Sequence, residues 1–412
     1  MTCVAIVDAY REEPIYEFLG AGATVVRVQS TVEVPKVYAG PLDLSQFAGS
    51  VVHAGDLVAT AAAVSRYRPA AVVAGRESGV ELADALADEL GCAGNGTALS
   101  AARRDKHLMI ETVRQAGLAA ARQIRVDSAA ALAKWHTDIG GRVVVKPIRS
   151  AGNDGVYFCD TVADSVAAFS AIDGAENVFS DINVGAVAQE YLHGAEYMVN
   201  TVSRDGCHRI CETWSTTRIT ANGAPEYADA FHLMPRSGAV QDALASYAKL
   251  VLDALGIKHG PAHTEIRMTD RGPVLIECGA RMAGDGLPYY VKIAQGNSQL
   301  DWTVRAYLDP ARFLVTYADP CYPERLCSAV RLISPAAGTL RQYRNIAALH
   351  SLESFYCTQF RVHPGDSIAQ TVDNVTCPAI VILMHRDEEV LRRDAFEIRR
   401  LGDAYFFDIE PT

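Results

Sequence analysis

The chain has 412 residues, 49% of them hydrophobic and 21% charged, so it is long enough for roughly two to four domains and too apolar to be disordered. Its formal net charge is −11 and no basic cluster stands out, which argues against nucleic acid and anionic membrane surfaces as partners. No apolar run reaches ~18 residues, and the first residues, MTCVAIVDAYREE, turn acidic too early for a signal peptide. Ten scattered cysteines without a CxxC pair fit reduced thiols, and we expect a cytoplasmic protein.

Strands and helices alternate over the first hundred residues or so. Strands are predicted at residues 4–7, 23–28, 51–53 and 70–74, and helices at 12–19, 56–67 and 80–90. This alternation predicts a parallel α/β sheet, in which ligands bind at the carboxyl ends of the strands. Glu77 follows the last of these strands, so it either faces a substrate or is a solvated loop carboxylate.

The stretch 142–159 reads RVVVKPIRSAGNDGVYFC. Three valines predict a buried strand that ends at Lys146, and a loop of small residues from Ser150 to Gly155 leads into a second apolar run. An ammonium group facing the backbone amides of such a loop suits a polyphosphate. No G-K-[ST] follows, so this is not a Walker A loop. Taken alone, the pattern fits an ordinary hairpin with one exposed lysine equally well.

The remaining elements are predicted from apolar periodicity and turn residues. Helices are expected at 103–116, 128–135, 164–169 and 241–255, and strands at 186–192, 196–203, 211–217, near 231–232, at 261–268 and at 273–278. Beyond residue 310 the chain reads mostly as short strands and turns, which indicates an α+β appendage.

The hairpin at 261–278 carries Glu265 before its turn and Glu277 after it, so both carboxylates can project onto one face. Neighbouring carboxylates repel each other unless a positive charge lies between them, and Mg²⁺ bridging nucleotide phosphates supplies one. The alternative is a pair of solvent-facing glutamates. The apolar residues around Glu277 favour the metal site.

These elements together resemble the ATP-grasp superfamily. Lys106, Lys146, the small-residue loop, the sequence QEYL followed by Glu196, and the glutamate pair occur in that superfamily's order over about residues 4–307. The stretches KPIRSAGNDGV, HTEI and LIECGARMAG are most similar to the carboxylate–amine ligases that make dipeptides, the L-amino acid ligases. Many ATP-grasp enzymes carry asparagine where this chain has Gly279, and small residues there are typical of the dipeptide-forming branch.

The resemblance implies a combined α/β and α+β architecture, the ATP-grasp fold. Four domains are expected: an N-terminal α/β domain (1–100), a central ATP-binding lid (101–203), a catalytic domain (204–310) and the appendage (311–412). A homodimer is expected by the same resemblance.

The resemblance also implies a role for individual residues. ATP contacts are expected from Lys106, Lys146, Ser150, Ala151, Gly152, Gln189, Glu190, Tyr191, Leu192 and Glu196. Glu265 and Glu277 would hold two Mg²⁺ ions, with Mn²⁺ as an alternative. Arg281, His232 and Lys146 would be catalytic, and the substrate would meet Glu77, His232, His263, Arg281, Gly284 and Asp285.

The implied activity is ATP-dependent formation of an amide bond between two amino acids through an acyl-phosphate, with release of ADP and phosphate. His232, His263 and Glu77 are the candidates for a base that deprotonates the amine, and the sequence does not choose among them. Two alternatives remain: a carboxylase that activates bicarbonate, and a non-catalytic ATP-binding module.

Overall fold

A computed structural model gives the fold and describes residues 2–315 and 325–411. The chain begins with the predicted alternation of strands and helices. Its elements are β1 (Cys3–Val7), α1 (Glu12–Gly20), β2 (Thr24–Gln29), β3 (Gly49–Val52), α2 (Leu57–Ser65), β4 (Pro69–Ala74) and α3 (Val80–Glu89). The four strands form a parallel sheet in the order β3-β2-β1-β4. β1 and β2 are buried almost throughout because helices cover both faces of a parallel sheet.

This sheet has a switch point between β1 and β4. The chain leaves β1 toward β2 on one side, and β4 pairs with β1 on the other. The loops that follow these two strands therefore border a crevice at their carboxyl ends, where ligands bind in sheets of this type. Arg11 lies in the first loop, and Arg76 and Glu77 lie in the second.

The next elements form a small antiparallel sheet. They are α4 (Lys106–Gln115), β5 (Gln123–Val126), α5 (Ala129–Ile139), β6 (Val143–Lys146), β7 (Tyr157–Cys159), α6 (Val162–Ile172) and β8 (Ala186–Glu190), and the strand order is β5-β8-β6-β7. The predicted hairpin is confirmed, with Val143 opposite Cys159 and Val145 opposite Tyr157. Helices α5 and α6 pack on the sheet around Leu132, Val145 and Phe169.

A large antiparallel sheet follows. Its first part comprises β9 (Ala195–Arg204), β10 (Cys207–Ala221), β11 (Ala224–Leu233), α7 (Ala239–Ala254), β12 (Gly260–Thr269) and β13 (Gly272–Gly279), and the chain continues into α8 (Leu287–Gln295), α9 (Gln299–Leu308) and α10 (Pro310–Val315). The predicted glutamate hairpin is confirmed, because Glu265 lies directly opposite Glu277 in the register of β12 and β13.

The C-terminal region completes this sheet rather than standing apart from it. Its elements are β14 (Leu326–Leu332), β15 (Gly338–Tyr343), α11 (Ile346–His350), β16 (Phe355–Phe360), β17 (Ser367–Ile368), β18 (Ala379–His385), α12 (Glu388–Leu401) and β19 (Phe407–Glu410). The sheet order β13-β12-β9-β10-β11-β14-β18-β16 joins strands from both sides of residue 310, and it also includes β9, which the sequence assigned to the lid. The sheet therefore crosses the predicted boundaries at 203/204 and 310/311.

The described helices include none long and apolar enough to cross a membrane.

Candidate active site

A deep cleft lies between the small antiparallel sheet and the β12–β13 hairpin, and it encloses roughly 1010 Å³, part of which opens to solvent. All of the residues that the sequence assigned to ATP and to metal line it, together with two of the residues assigned to the substrate, Arg281 and His263. The ATP and metal residues are Lys106, Lys146, Ser150, Ala151, Gly152, Gln189, Glu190, Tyr191, Leu192, Glu196, Glu265 and Glu277. Residues that are distant in sequence thus meet in one cleft.

Two lysines mark one end of the cleft. Lys106 Nζ donates a hydrogen bond to the Ser150 carbonyl at 2.6 Å and lies 3.0 Å from Glu277 Oε1. Lys146 ends β6 and is buried, and no carboxylate of the described residues lies within ion-pair distance of its Nζ. Burial and the charge of Lys106 lower the pKa of Lys146 to about 8, against the opposing effect of Glu277 and Glu265. An anion bound here would relieve the mutual repulsion of the two ammonium groups.

The small-residue loop bends beside these lysines. Gly152 and Gly155 have φ angles of 70° and 63°, in the left-handed region that glycine adopts without strain. Asp154 fixes the base of the loop because its Oδ2 accepts hydrogen bonds from Ser150 Oγ at 2.7 Å and from the Val178 amide at 3.1 Å. Asp154 and Lys106 thus both hold the loop near Ser150, and Gly152 lines the cleft.

The glutamate pair offers oxygen ligands on the opposite wall. Glu265 and Glu277 are half-buried. Burial alone would raise the pKa of Glu265, but the hydrogen bond from His263 and the charges of Arg218 and Arg281 bring it down to about 2. Glu265 is therefore ionised at neutral pH. Two carboxylates facing each other beside a phosphate-sized space match the donor set that Mg²⁺ prefers, so these residues fit the metal.

His263 holds Glu265 in place. Its Nε2 lies 3.3 Å from Glu265 Oε1 and its Nδ1 lies 2.7 Å from Asn200 Oδ1, so both ring nitrogens are occupied. A histidine that orients a carboxylate ligand from behind is a common feature of metal sites. The ring is buried between β9 and β13, which leaves it little freedom to act as a base.

His232 does not join the cleft. It lies on β11, where its Nδ1 is 2.8 Å from Ser328 Oγ and its Nε2 is 3.3 Å from Thr217 Oγ1. Burial and the nearby charge of Arg392 lower its pKa to about 4. The catalytic and substrate role expected of His232 stays a prediction. In this structure side chains alternate along β11, and His232 lies on the side of α12 and not among the residues that line the cleft.

Glu77 also has a different place from the one expected. Its side chain is 5% exposed, and its carboxylate binds Arg281 Nε at 3.0 Å and Arg104 Nη1 at 3.5 Å. Glu77 therefore supports Arg281 instead of lining the cleft. A Cβ at Gly279 would lie 2.7 Å from Glu77 Oε2 and 3.3 Å from the Arg281 guanidinium. The glycine at this position leaves room for that ion pair.

One end of the cleft combines apolar side chains with β8 and the residues that follow it. Val144, Phe158, Leu192 and Ile276 line the cleft near the backbone of residues 189–192. The Glu190 side chain points away, since it accepts hydrogen bonds from the Arg122 amide at 3.0 Å and from Arg271 Nη2 at 3.0 Å. The backbone amide of Glu190 donates to the Arg122 carbonyl at 2.9 Å, and that of Tyr191 donates to the Arg142 carbonyl at 3.1 Å.

Sequence reasoning missed two arginines of this cleft, Arg218 and Arg267. Both bind the buried Glu196, and Arg267 Nη2 also reaches Glu226 Oε2 at 3.2 Å. The expected ribose ligand Glu196 is thus held by two guanidinium groups. Arg218 follows the polar run 215–217 on β10, and the pairing with β11 shifts between Thr217 and Arg218, so simple alternation along the strand does not predict that its side chain enters the cleft.

Asp285 lies four residues after Arg281 and has a φ of 58°. Its carboxylate binds Arg331 Nη2 and Arg361 Nη2, both at 2.6 Å. Arg331 Nη1 donates to Asn374 Oδ1 at 2.6 Å, and Asn374 lines the ATP cleft beside Gly152. Gly284, just before Asp285, has open space where a Cβ would be. The C-terminal region therefore reaches the reaction cleft through Asn374, which the sequence did not predict.

Comparisons with known proteins agree with this geometry. The profile of the ATP-grasp domain matches residues 139–288. Dapdiamide A synthase of Enterobacter agglomerans is 32% identical over 98% of this chain and 96% of its own length.

Among solved structures, an L-amino acid ligase from Bacillus licheniformis has a TM-score of 0.79 at 18% identity, covering 100% of this chain and 99% of its own. Phosphoribosylglycinamide synthetase from Anaerococcus prevotii has a TM-score of 0.66 at 13% identity, with both chains fully covered. At these identities the structures show the fold alone. The whole-length relative and the domain match settle the family: this chain belongs to the ATP-grasp superfamily, as an ATP-dependent ligase that forms C–N bonds.

Proposed function

We propose that the enzyme joins the carboxylate of one amino acid to the amine of another, through an acyl-phosphate, with release of ADP and phosphate. The observation that carries this proposal is the meeting of Lys106, Lys146, Glu265, Glu277 and Arg281 in one cleft. The sequence relationship to dapdiamide A synthase over the whole chain supports it.

The chemistry explains why such a site needs no protein nucleophile. A carboxylate is a poor acylating agent because its leaving group would be oxide. Transfer of the γ-phosphoryl group to the carboxylate oxygen turns that oxygen into a phosphate leaving group, and an amine then displaces it. Phosphoryl transfer depends on positioning and charge neutralisation, which lysine, arginine and metal-binding carboxylates supply.

In this proposal Lys106 and Lys146 bind the α- and β-phosphates, and the loop from Ser150 to Gly155 covers the γ-phosphate. The pKa of about 8 leaves most Lys146 side chains protonated at neutral pH, and a bound polyphosphate would favour that charged form further. Covering the γ-phosphate also excludes water, which would otherwise hydrolyse the acyl-phosphate.

Glu265 and Glu277 would hold Mg²⁺, and we propose two ions, with Mn²⁺ able to replace them. The metal supplies positive charge that neutralises the phosphate oxygens during transfer. His263 keeps Glu265 oriented toward the cleft, and Lys106 keeps Glu277 there.

Arg281 would stabilise the charge on the transferring phosphoryl group and on the acyl-phosphate. Glu77 makes this possible by binding Nε, which fixes the plane of the guanidinium and leaves Nη2 free for the substrate. Burial alone would lower the pKa of Arg281, but Glu77 and Glu277 raise it, so the side chain stays charged.

The nucleoside would bind at the other end of the cleft. Backbone groups of residues 189–192 would meet adenine, and Glu196 would accept hydrogen bonds from the ribose hydroxyls. The homodimer and the cytoplasmic location remain predictions from the sequence, and light scattering of the purified protein checks the first.

The test is phosphate release from ATP and Mg²⁺ with all pairwise mixtures of the natural amino acids, with products identified by mass. We expect release that requires amino acids, and a product one water lighter than the sum of its two precursors. Release that requires bicarbonate instead would establish the carboxylase alternative. ATP binding without release, for any amino acid pair or bicarbonate, would favour a non-catalytic ATP-binding module.

A further inference from the structure

Arg76 lies beside the cluster of Glu77, Arg104 and Arg281, and its guanidinium forms no ion pair with any residue that the structure describes. Arg104 and Arg281 both bind Glu77, whereas no carboxylate of the described residues lies within 4 Å of the Arg76 guanidinium. Its Nε is buried and makes no hydrogen bond. A half-buried arginine in this state leaves its positive charge uncompensated, which is costly unless an anion binds.

The surroundings of Arg76 increase that cost. Burial and the positive charges of Arg11 and Arg281 lower its pKa, while Glu13 opposes them from beyond ion-pair distance. Within the part of the chain that the structure describes, the guanidinium contacts the ring of Tyr38, whose centroid lies 5.7 Å from Cζ. Tyr38 is itself stacked on Tyr10 at 5.1 Å, which makes it a fixed wall.

Arg76 lies at an edge of the parallel sheet where ligands commonly bind. It follows β4 and Arg11 follows β1, so both border the crevice at the switch point of the parallel sheet. They share a recess with Met282 and Ala283, which come directly after Arg281. Arg11 also borders the wide cleft that continues to Gly152 of the phosphate loop. A molecule held at Arg76 would therefore lie next to the proposed reacting centre.

We propose that Arg76, supported by Arg11, binds the free α-carboxylate of the amine substrate. This inference rests on the proposed function. The carboxylate of the acid substrate is consumed in the reaction beside Arg281, but the amino acid that supplies the amine keeps its own carboxylate in the product. That group needs a cation outside the reacting centre, and Arg76 provides it.

Binding of the carboxylate at Arg76 would also assist catalysis by positioning the amine. Holding the carboxylate fixes the α-carbon and hence the amine, which must approach the acyl-phosphate carbon closely. Arg76 is then a residue that selects α-amino acids over simple amines as nucleophiles.

The test compares the amine-side amino acid found in the pairwise screen with its carboxamide, using wild type, Arg76→Ala, Arg76→Lys and the control Arg66→Ala. Arg66 is an exposed arginine of the same domain, so its loss changes the charge equally.

In wild type we expect kcat/KM to be about 10- to 100-fold lower for the carboxamide, since a charge-assisted hydrogen bond is lost. Arg76→Ala should raise KM for the amino acid by a similar factor, leave KM for ATP within about twofold, and no longer distinguish acid from carboxamide. Arg66→Ala should match wild type, and Arg76→Lys should fall between wild type and Arg76→Ala.

An unchanged KM for the amino acid in Arg76→Ala would overturn the inference while leaving the ligase activity intact. If Arg76→Ala does not fold, equal rates with acid and carboxamide in wild type would overturn it just as directly. Failure of the proposed function would give a different result from failure of the inference alone. Wild type would then form no amide from any amino acid pair, and the inference would be overturned as well.

Discussion

The two ends of the reaction cleft are built from different kinds of contact. At the nucleotide end, Lys146, the small-residue loop and the glutamates of β12 and β13 come from short stretches whose strand register sets their direction. At the substrate end, the contacts are ion pairs between residues far apart in sequence. Glu77 binds Arg281, and Asp285 binds Arg331 and Arg361.

This difference distinguishes residues that serve the reaction with ATP from residues that recognise a particular substrate. In the proposed function the nucleotide end transfers the γ-phosphoryl group, and most of its side chains come from short recognisable motifs, although the Lys106–Glu277 pair also joins residues far apart in sequence. The substrate end is assembled from the N-terminal sheet, the loop after β13 and the C-terminal region together. We therefore expect changes at the nucleotide end to abolish turnover and changes at the substrate end to alter selectivity, positioning or stability.

The largest effect is expected from Lys146→Ala. Loss of the buried ammonium removes a charge that contacts phosphate, and kcat/KM for ATP should fall by about 1,000-fold or more. Coupled measurement of ADP formation checks this. Lys134→Ala is the control, since Lys134 is exposed and forms a surface ion pair with Asp138. A loss below tenfold would show that the lysine does not contact the nucleotide.

The second largest loss of kcat is expected from Arg281→Ala, and a smaller loss from Glu77→Gln. Arg281→Ala should lower kcat by about 100- to 1,000-fold, and Glu77→Gln by about 10- to 100-fold with KM for ATP nearly unchanged. Because Glu77 acts through Arg281, the double variant should be no slower than Arg281→Ala alone. Additive losses in this cycle would mean that Glu77 has a separate role at the substrate.

Asp285→Asn should chiefly lower stability. It leaves the buried Arg331 without its carboxylate, which should cost about 2–4 kcal/mol in the free energy of unfolding. Burial alone would raise the pKa of Asp285, but Arg331 and Arg361 hold it well below its ordinary value. Its contribution is therefore fully present above about pH 5 and is lost as pH falls below the unfolded value of about 3.9.

Urea unfolding at pH 7 and pH 4 checks this prediction. The difference between wild type and Asp285→Asn should be larger at pH 7, whereas Asp138→Asn, at an exposed position, should match wild type at both. A difference that grows toward pH 4 would contradict the assigned ion pairs.

The smallest effect is the pH dependence of nucleotide affinity. With a pKa of about 8, Lys146 loses its proton in the free enzyme as pH rises above 8, so the Kd for ATP should rise by up to about tenfold per pH unit there. Calorimetric titration measures the Kd for ATP between about pH 6.5 and about pH 9.5, which is roughly 1.5 pH units on either side of the pKa. Lys146→Arg should remove the dependence, because arginine stays protonated throughout. A flat profile in wild type would contradict the lowered pKa.

Much of the fold was predictable from the sequence, because periodicity reports local structure. The parallel strands, the phosphate hairpin and the register that places Glu265 opposite Glu277 all follow from apolar patterns. Helix α12 was missed although Leu391, Ala395 and Ile398 have helical spacing, since that region was read as strands and turns.

The substrate end was less predictable for a physical reason. An ion pair such as Glu77–Arg281 depends on tertiary placement of two loops, and neither loop has a periodic pattern. Asn374 reaches the cleft only because β14 and β18 extend the catalytic sheet. The sequence around His232 resembles a family loop, whereas the structure places this residue within β11, opposite Ser328 of β14.

The central claim is that this cleft activates a carboxylate with the γ-phosphoryl group of ATP. The direct measurement uses the acid-side amino acid with ¹⁸O in its carboxylate and follows the label by mass. If an acyl-phosphate forms, one labelled oxygen passes to each phosphate released, and the amide keeps the other. Unlabelled phosphate, formed together with the amide, would contradict the claim.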